Sequence, residues 1–290
     1  MWKNNRLVII VLVLLAICSC NKREQIVDQR ILSNYDFRLF QGTPAWNLAK
    51  AVEDEDEEDI CKILNENPEM VDFQSPKYGV SLLHLAVAHR NMKSIECLLK
   101  AGANVNIRDK EYNETPLNRA CFASYPKGKN IDIINFLITN GAEVNVTGIA
   151  DSLKMPQSPL MSACYDGFNE AVILLIDKGA DVNYIKNGED TALGLSLMVG
   201  HYEIAYYLLQ HNADFTLPIV HMKGYGRDGK GTRSVYIKEF LEGERIQYLT
   251  PEREYYYKIV DFLREKGIVI NESGKRNSGF STIMKEILEH

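Results

Sequence analysis

The sequence predicts an all-α fold, a solenoid of stacked helix–turn–helix units connected by hairpin loops. Three observations lead to it. A short motif opening on Ser or Thr recurs four times, at Ser81, Thr115, Ser158 and Thr191. Each copy closes on a small pair, Gly102-Ala103, Gly141-Ala142, Gly179-Ala180 and Asn212-Ala213. Between opening and closing marks, apolar residues recur at helical rather than alternating spacing. One such unit cannot bury its apolar face alone, so neighbours must stack.

The chain of 290 residues is long for one solid domain and ordinary for an array. A hydrophobic content of 46% is enough for a continuous core. The net charge of −6 gives no basic footprint of the kind nucleic acid needs. No nucleic-acid partner is expected.

Residues 1–19 read as a lipoprotein signal peptide. Lys3 and Arg6 precede an uninterrupted apolar run from Leu7 to Ile17. Eleven residues suit a signal-peptide core and are too few to span a bilayer as a helix. The run ends Ile17-Cys18-Ser19-Cys20, which resembles a bacterial lipobox. There a small residue precedes the cysteine that receives the lipid, so Ser19 favours Cys20 over Cys18, which follows bulky Ile17. A plain secretory signal cut nearby is the competing reading. The expected location is the bacterial cell envelope, on the outer membrane or the periplasmic face, with the lipid as the only membrane contact.

Residues 20–44 are expected to be a linker from Cys20. Residues 45–79 read as an N-terminal cap, a helix–turn–helix from Trp46 to Val71. Seven consecutive acids, Glu53 to Asp59, lie inside it. Carboxylates are suitable calcium ligands, but the spacing and the Gly of an EF-hand loop are missing. A solvated turn between the cap's helices is the expectation.

Four repeats follow, at 80–113, 114–157, 158–189 and 190–216. They open Ser81-Leu82-Leu83-His84-Leu85-Ala86, Thr115-Pro116-Leu117-Asn118-Arg119-Ala120, Ser158-Pro159-Leu160-Met161-Ser162-Ala163 and Thr191-Ala192-Leu193-Gly194-Leu195-Ser196. From opening to closing residue is 21 positions in three of them and 26 in the second, where Ser124 to Gly128 reads as an insertion. Ser or Thr caps a helix N-terminus, and Pro suits the first turn because its missing N–H is not needed there. Gly at the close supplies the left-handed backbone that ends the second helix. Asn106, Asn145 and Asn183, four residues after each Gly, begin the hairpin toward the next unit.

These segments resemble ankyrin repeats, whose pattern is Thr-Pro-Leu-His-x-Ala-Ala, a Gly-His turn and Leu-Leu-x-x-Gly-Ala-x-x-Asn. The resemblance is clear over residues 80 to 216. Residues 217–290 are read as an inserted glycine-rich loop and a degenerate C-terminal cap, since Ile259 to Asn271 repeats the second-helix ending. Two departures stand out: the motif His is kept only as His84, and Gly194 occupies that slot in the fourth repeat. His84 and His201 fall on positions where the family uses imidazole to tie loops together.

The strongest rival to a binding role is Gly224-Tyr225-Gly226-Arg227-Asp228-Gly229, continued through Lys230-Gly231-Thr232. A phosphate-binding P-loop requires Ser or Thr directly after the Lys, and Gly231 intervenes. The loop also follows a repeat rather than a parallel strand. A nucleotide- or small-ligand-binding protein or enzyme using Gly224–Thr232 therefore stays as the alternative. No local motif for a metal or a catalytic triad is present, so the main expectation is a non-catalytic protein without a cofactor. Cys61, Cys97, Cys121 and Cys164 are read as small buried apolar residues. Cys121 and Cys164 hold the same slot in adjacent helices. Equivalent positions on packed helices are taken to lie ~8–10 Å apart. That is beyond the ~7 Å limit on Cα separation for a disulfide, so no disulfide is expected.

The resemblance implies a protein partner, held by hairpin tips and by the exposed concave side of the first helices. The helix slots are Ala88-His89, Phe122-Ala123, Tyr165-Asp166 and Met198-Val199. The tips add Lys77, Tyr78, Lys110, Glu111, Tyr112, Asn187 and Asp190. Exposed large apolar residues in such a row are hot-spot material. The competing expectation is that Phe122, Met198 and Val199 pack beneath the insertions. The partner is expected to be another envelope protein, with this chain as its monomeric regulatory or immunity partner.

Overall fold

The computed structural model describes residues 27–122, 130–146, 158–185, 190–223, 232–243 and 252–271. Among them are twelve α-helices and one antiparallel hairpin. The helices are α1 (Trp46–Asp54), α2 (Glu57–Glu66), α3 (Leu82–His89), α4 (Met92–Lys100), α5 (Pro116–Cys121) and α6 (Ile131–Thr139), then α7 (Pro159–Tyr165), α8 (Asn169–Asp177), α9 (Ala192–Met198) and α10 (Tyr202–Gln210). The hairpin of β1 (Val220–Lys223) and β2 (Thr232–Val235) follows, then α11 (Ile237–Gly243) and α12 (Arg253–Glu265). The chain divides into two compact units, 1–116 and 117–290.

The capping chemistry explains why the helices begin where they do. Ser81 Oγ accepts from the His84 amide at 3.3 Å, and His84 Nδ1 returns to the Ser81 amide at 3.2 Å, closing a reciprocal cap. Ser158 accepts from the Met161 amide at 3.1 Å with Pro159 in the first turn. Thr191 accepts from the Gly194 amide at 2.9 Å. The second helices α4, α6, α8 and α10 each span nine residues. They also stop alike. Ala103, Ala142, Ala180 and Ala213 donate amides to Leu98, Leu137, Leu175 and Leu208 at 2.9–3.0 Å, across left-handed Gly102, Gly141, Gly179 and Asn212. Ile268 closes on Leu263 at 2.8 Å across Gly267, so α12 ends as a second helix does.

In the first unit, α1 pairs with α2, and each packs on its counterpart in the next pair, α3 and α4. Asn91 Nδ2 and Ser94 Oγ, at the start of α4, donate to the Val52 carbonyl at 3.0 and 2.7 Å, supplementing a long 3.4 Å bond from the Glu55 amide at the end of α1. The core holds Leu48, Val52, Ile60, Leu82, Leu83, Ile95 and Leu98, all fully buried. The acidic run is divided by structure. Glu55 turns in the left-handed conformation, and Asp56 caps α2 at 3.0 Å from the Asp59 amide. Glu57, Glu58 and Asp59 then fill the first turn of α2, where the helix dipole favours acids.

In the second unit, α7 packs on both α8 and α9, and α10 on both α9 and α12. The joints are held by a repeated clamp. Asn145 Nδ2 donates to the Gly179 carbonyl at 2.9 Å while its Oδ1 accepts from the Asp181 amide at 2.8 Å. Asn183 does the same to the Asn212 carbonyl and the Asp214 amide, at 2.9 and 2.8 Å. The stretch expected as an inserted loop includes the β1–β2 hairpin, with Val220 opposite Val235 and Lys223 opposite Thr232. Ile219, Val235 and Ile237 are buried at its base. A Cβ on Gly194 would stand 2.7 Å from the Ile219 carbonyl oxygen, so the departure from His at this slot admits the incoming chain. By contrast, His84 Nε2 reaches the Glu114 carbonyl at 3.0 Å.

Candidate functional site

Residues 27–44, expected to be a linker, are folded onto the first unit. Asp28 and Asp36 each cap a 3-10 turn, Gln29–Ile31 and Phe37–Phe40, and each pairs with the Arg two residues on. Burial pushes the Asp36 carboxyl up, but the Arg38 hydrogen bonds outweigh it and hold the group below its ordinary value. Leu32, Phe37, Leu39 and Phe40 are buried.

This segment occupies the predicted tips. Lys77 Nζ donates to the Leu32 and Arg30 carbonyls at 3.0 and 3.3 Å and lies 4.2 Å from the Tyr78 ring centre. Tyr78 donates its hydroxyl to the Leu32 carbonyl at 2.8 Å. His89 Nε2 donates to the Tyr35 carbonyl at 2.7 Å, and its ring lies 5.0 Å from that of Phe37. Asn34 Nδ2 reaches Glu111 Oε2 at 3.3 Å. Lys110 is exposed, and its amide donates to the Tyr78 carbonyl at 2.9 Å. Burial, reinforced by Glu111, pushes the half-buried Tyr112 phenol up to about 12, so it stays protonated at neutral pH. Of the expected binding residues, Lys77, Tyr78 and His89 are thus engaged by the chain's own backbone, while Lys77, Lys110 and Glu111 remain exposed. These contacts go to carbonyls, which carry no residue signature, so pattern reading could not have found them. The one available signal was the Asp-x-Arg pair beside apolar residues at 36–40.

In the second unit the predicted row is partly open. Tyr165, at the end of α7, is 39% exposed and stacks on Phe122 with centroids 6.0 Å apart and planes at 28°. Phe122 itself is 8% exposed, so its expected exposure is corrected; it supports the Tyr165 ring from below. On α9, in the equivalent slot, Met198 is half-buried and Val199 exposed. Asp166 and Asp190 are half-buried. Asn187, Cys20 and residues 224–231 of the glycine loop, Lys230 included, lie outside the described residues.

The cysteines also divide. Cys97, Cys121 and Cys164 are buried, but Cys61 is exposed on α2, which corrects the reading of all four as interior residues. It sits on the outward side of a helix whose inward positions are Ile60 and Leu64. Burial raises the Cys164 thiol to about 12 and the Cys121 thiol further. Among the described residues, no group of three His, Cys, Asp or Glu side chains is placed to hold a metal ion. None of the helices described is long and apolar enough to cross a membrane.

The chain matches a family model described as ankyrin repeats, three copies, over residues 48–148 and 127–218. It is similar to the "Probable 26S proteasome regulatory subunit p28" of Saccharomyces cerevisiae, 30% identical over 47% of this chain and 58% of that protein. It also resembles the E3 ubiquitin-protein ligase KEG of Arabidopsis thaliana, 22% identical over 71% of this chain and 12% of the relative. The ankyrin repeat and KH domain-containing protein mask-1 of Caenorhabditis elegans is 34% identical over 76% of this chain and 8% of its own length. The chain therefore spans less than two thirds of each of these relatives.

Proposed function

The chain belongs to the ankyrin-repeat family, and from that premise we propose that it is a non-catalytic module that binds another protein through the Tyr165 face of its second unit. The exposed Tyr165 ring, backed by Phe122, is the observation that carries this reading. A rigid aromatic with one open face presents apolar area at little entropic cost, which is the character of a hot spot. Met198, Val199 and Asp166 extend the surface with apolar and acidic contacts. The corresponding slot of the first unit, His89, is engaged by residues 35 and 37, which favours the second unit as the side that receives a partner.

The proposal extends to location. The charged start, the apolar run and Ile17-Cys18-Ser19-Cys20 support a lipid on Cys20 and a tether to a bacterial cell envelope, with an envelope protein as the partner to be regulated or neutralised. Two experiments test the two halves. Tyr165→Ala should weaken capture of the partner by more than ~1 kcal/mol with helical circular dichroism intact. If Lys230→Ala removes function and Tyr165→Ala does not, the glycine loop carries the activity and the proposal fails. Cys20→Ala should abolish partition of the expressed protein into detergent. Unchanged partition would remove the tether from the account.

A further inference from the structure

Two thiols hold matching positions on the packed helices α2 and α4. The Glu57 carboxylate on α2 and the Lys93 ammonium on α4 pair at 3.7 Å. Four residues further along each helix, one turn on, stand Cys61 and Cys97. The ion pair and the thiols are thus successive rungs of one interface between packed helices. Cys61 lies near enough to Cys97 that, after burial, it helps push the Cys97 thiol up. Helix axes in contact lie ~8–10 Å apart and Cα atoms sit about 2.3 Å from each axis. Cα atoms of neighbouring helices therefore approach to roughly 3.4–5.4 Å on the line of centres and lie further apart toward the exposed edge. A disulfide takes Cα separations of about 4.4–6.8 Å, so a matched rung can accommodate the bond. The axis separation that argued against a disulfide at Cys121 and Cys164 does not itself measure the distance between facing residues.

The two thiols differ in access. Cys61 is exposed, whereas Cys97 is 5% exposed among Ser94, Ile95 and Leu98 of its own helix, which are fully buried. Burial pushes the Cys97 thiol up, so the solvent-facing partner is the better first nucleophile. Cys121 and Cys164 are both fully enclosed and offer no comparable entry.

We propose that Cys61 and Cys97 form a reversible dithiol–disulfide site that accepts oxidising equivalents from small disulfides and staples the N-terminal cap to the first repeat. The Cys61 thiolate attacks one sulfur of a low-molecular-weight disulfide such as oxidised glutathione. A bond forms between Cys61 Sγ and that sulfur while the S–S bond of the donor breaks, releasing one thiolate. The Cys97 thiolate then attacks Cys61 Sγ, forming the internal bond and expelling the second donor thiolate. The two protons lost by the protein thiols end on the two released thiols. Two cysteines are oxidised, and one external disulfide is reduced.

The test uses the full chain, reduced, then incubated with oxidised glutathione, alkylated during denaturation and mapped by mass spectrometry. The expected product joins the Cys61 and Cys97 peptides and is lighter by two hydrogen atoms than the reduced protein. Melting of the first unit should shift upward by roughly 5 °C and return on reduction. Cys97→Ser should stop at the mixed disulfide between Cys61 and glutathione, and Cys61→Ser should leave Cys97 a free thiol. Circular dichroism of both variants checks that they fold. A wild-type chain that accumulates the mixed disulfide at Cys61 without closing on Cys97, links other cysteines, or stays fully reduced would overturn the proposal.

Discussion

At the scale of single residues, Gly194 is the most informative departure from its repeat. A glycine inside a helix is normally worse than alanine by about 0.5–1 kcal/mol. Replacing it should therefore stabilise α9 if nothing stood nearby. Here the added Cβ would meet the Ile219 carbonyl oxygen at 2.7 Å and Thr191 Oγ1 at 3.1 Å. Gly194→Ala is expected to destabilise by ~1–3 kcal/mol, as overpacking does. Chemical denaturation measures it, and a gain in stability would mean the hairpin base does not press on α9. The sequence showed that His was missing from this slot. It could not show what had replaced it, because the neighbour is a backbone group 25 positions away. Cys61 teaches the same lesson: a helical period gives a face, but whether that face is covered depends on the neighbouring pair. Leu98 and Leu175, by contrast, were legible as core from spacing alone, and both are fully buried.

At the scale of elements, the stops of the second helices were readable to the residue. These stops are fixed by local chemistry, a left-handed residue that turns the chain. Of the starts, only that of α6 carries a side-chain cap, from Asn130. The N-terminal segment and the β1–β2 hairpin were not readable, since both depend on partners distant in sequence. Tyr78 and Leu32, for example, are 46 positions apart. The Asn clamps stand between these cases, visible as a recurring residue but not as a bond. Asn183→Ala removes both the donor to Asn212 and the acceptor for Asp214. The expected loss is ~1–2 kcal/mol, moderated because the joint is exposed to water. Hydrogen exchange should accelerate at the Asp214 amide while Asp181, held by Asn145, stays protected. Equal acceleration at both amides would show that the clamps do not act locally.

At the scale of the whole molecule, the two units should answer separately to damage, because repeats gain most of their stability from immediate neighbours. Leu98→Ala in the first unit and Leu175→Ala in the second should each cost ~2–5 kcal/mol, the usual loss on emptying a buried leucine site. Exchange-detected mass spectrometry should find faster opening confined to the unit that carries the change. Loss of protection spread evenly through the chain would contradict that independence. The clamp has a further consequence, for how such a chain can change length over generations. Asn145 and Asn183 grip the next repeat through the same two backbone groups, the carbonyl of its left-handed stop residue and the amide two residues on. Excising residues 146–183 would leave Asn145 followed by Tyr184, with an asparagine again facing Asn212 and Asp214. The joint is indifferent to which unit supplies it. Whole modules can therefore be duplicated or lost in one recombination event without inventing a new interface, provided the break falls in phase with the asparagine.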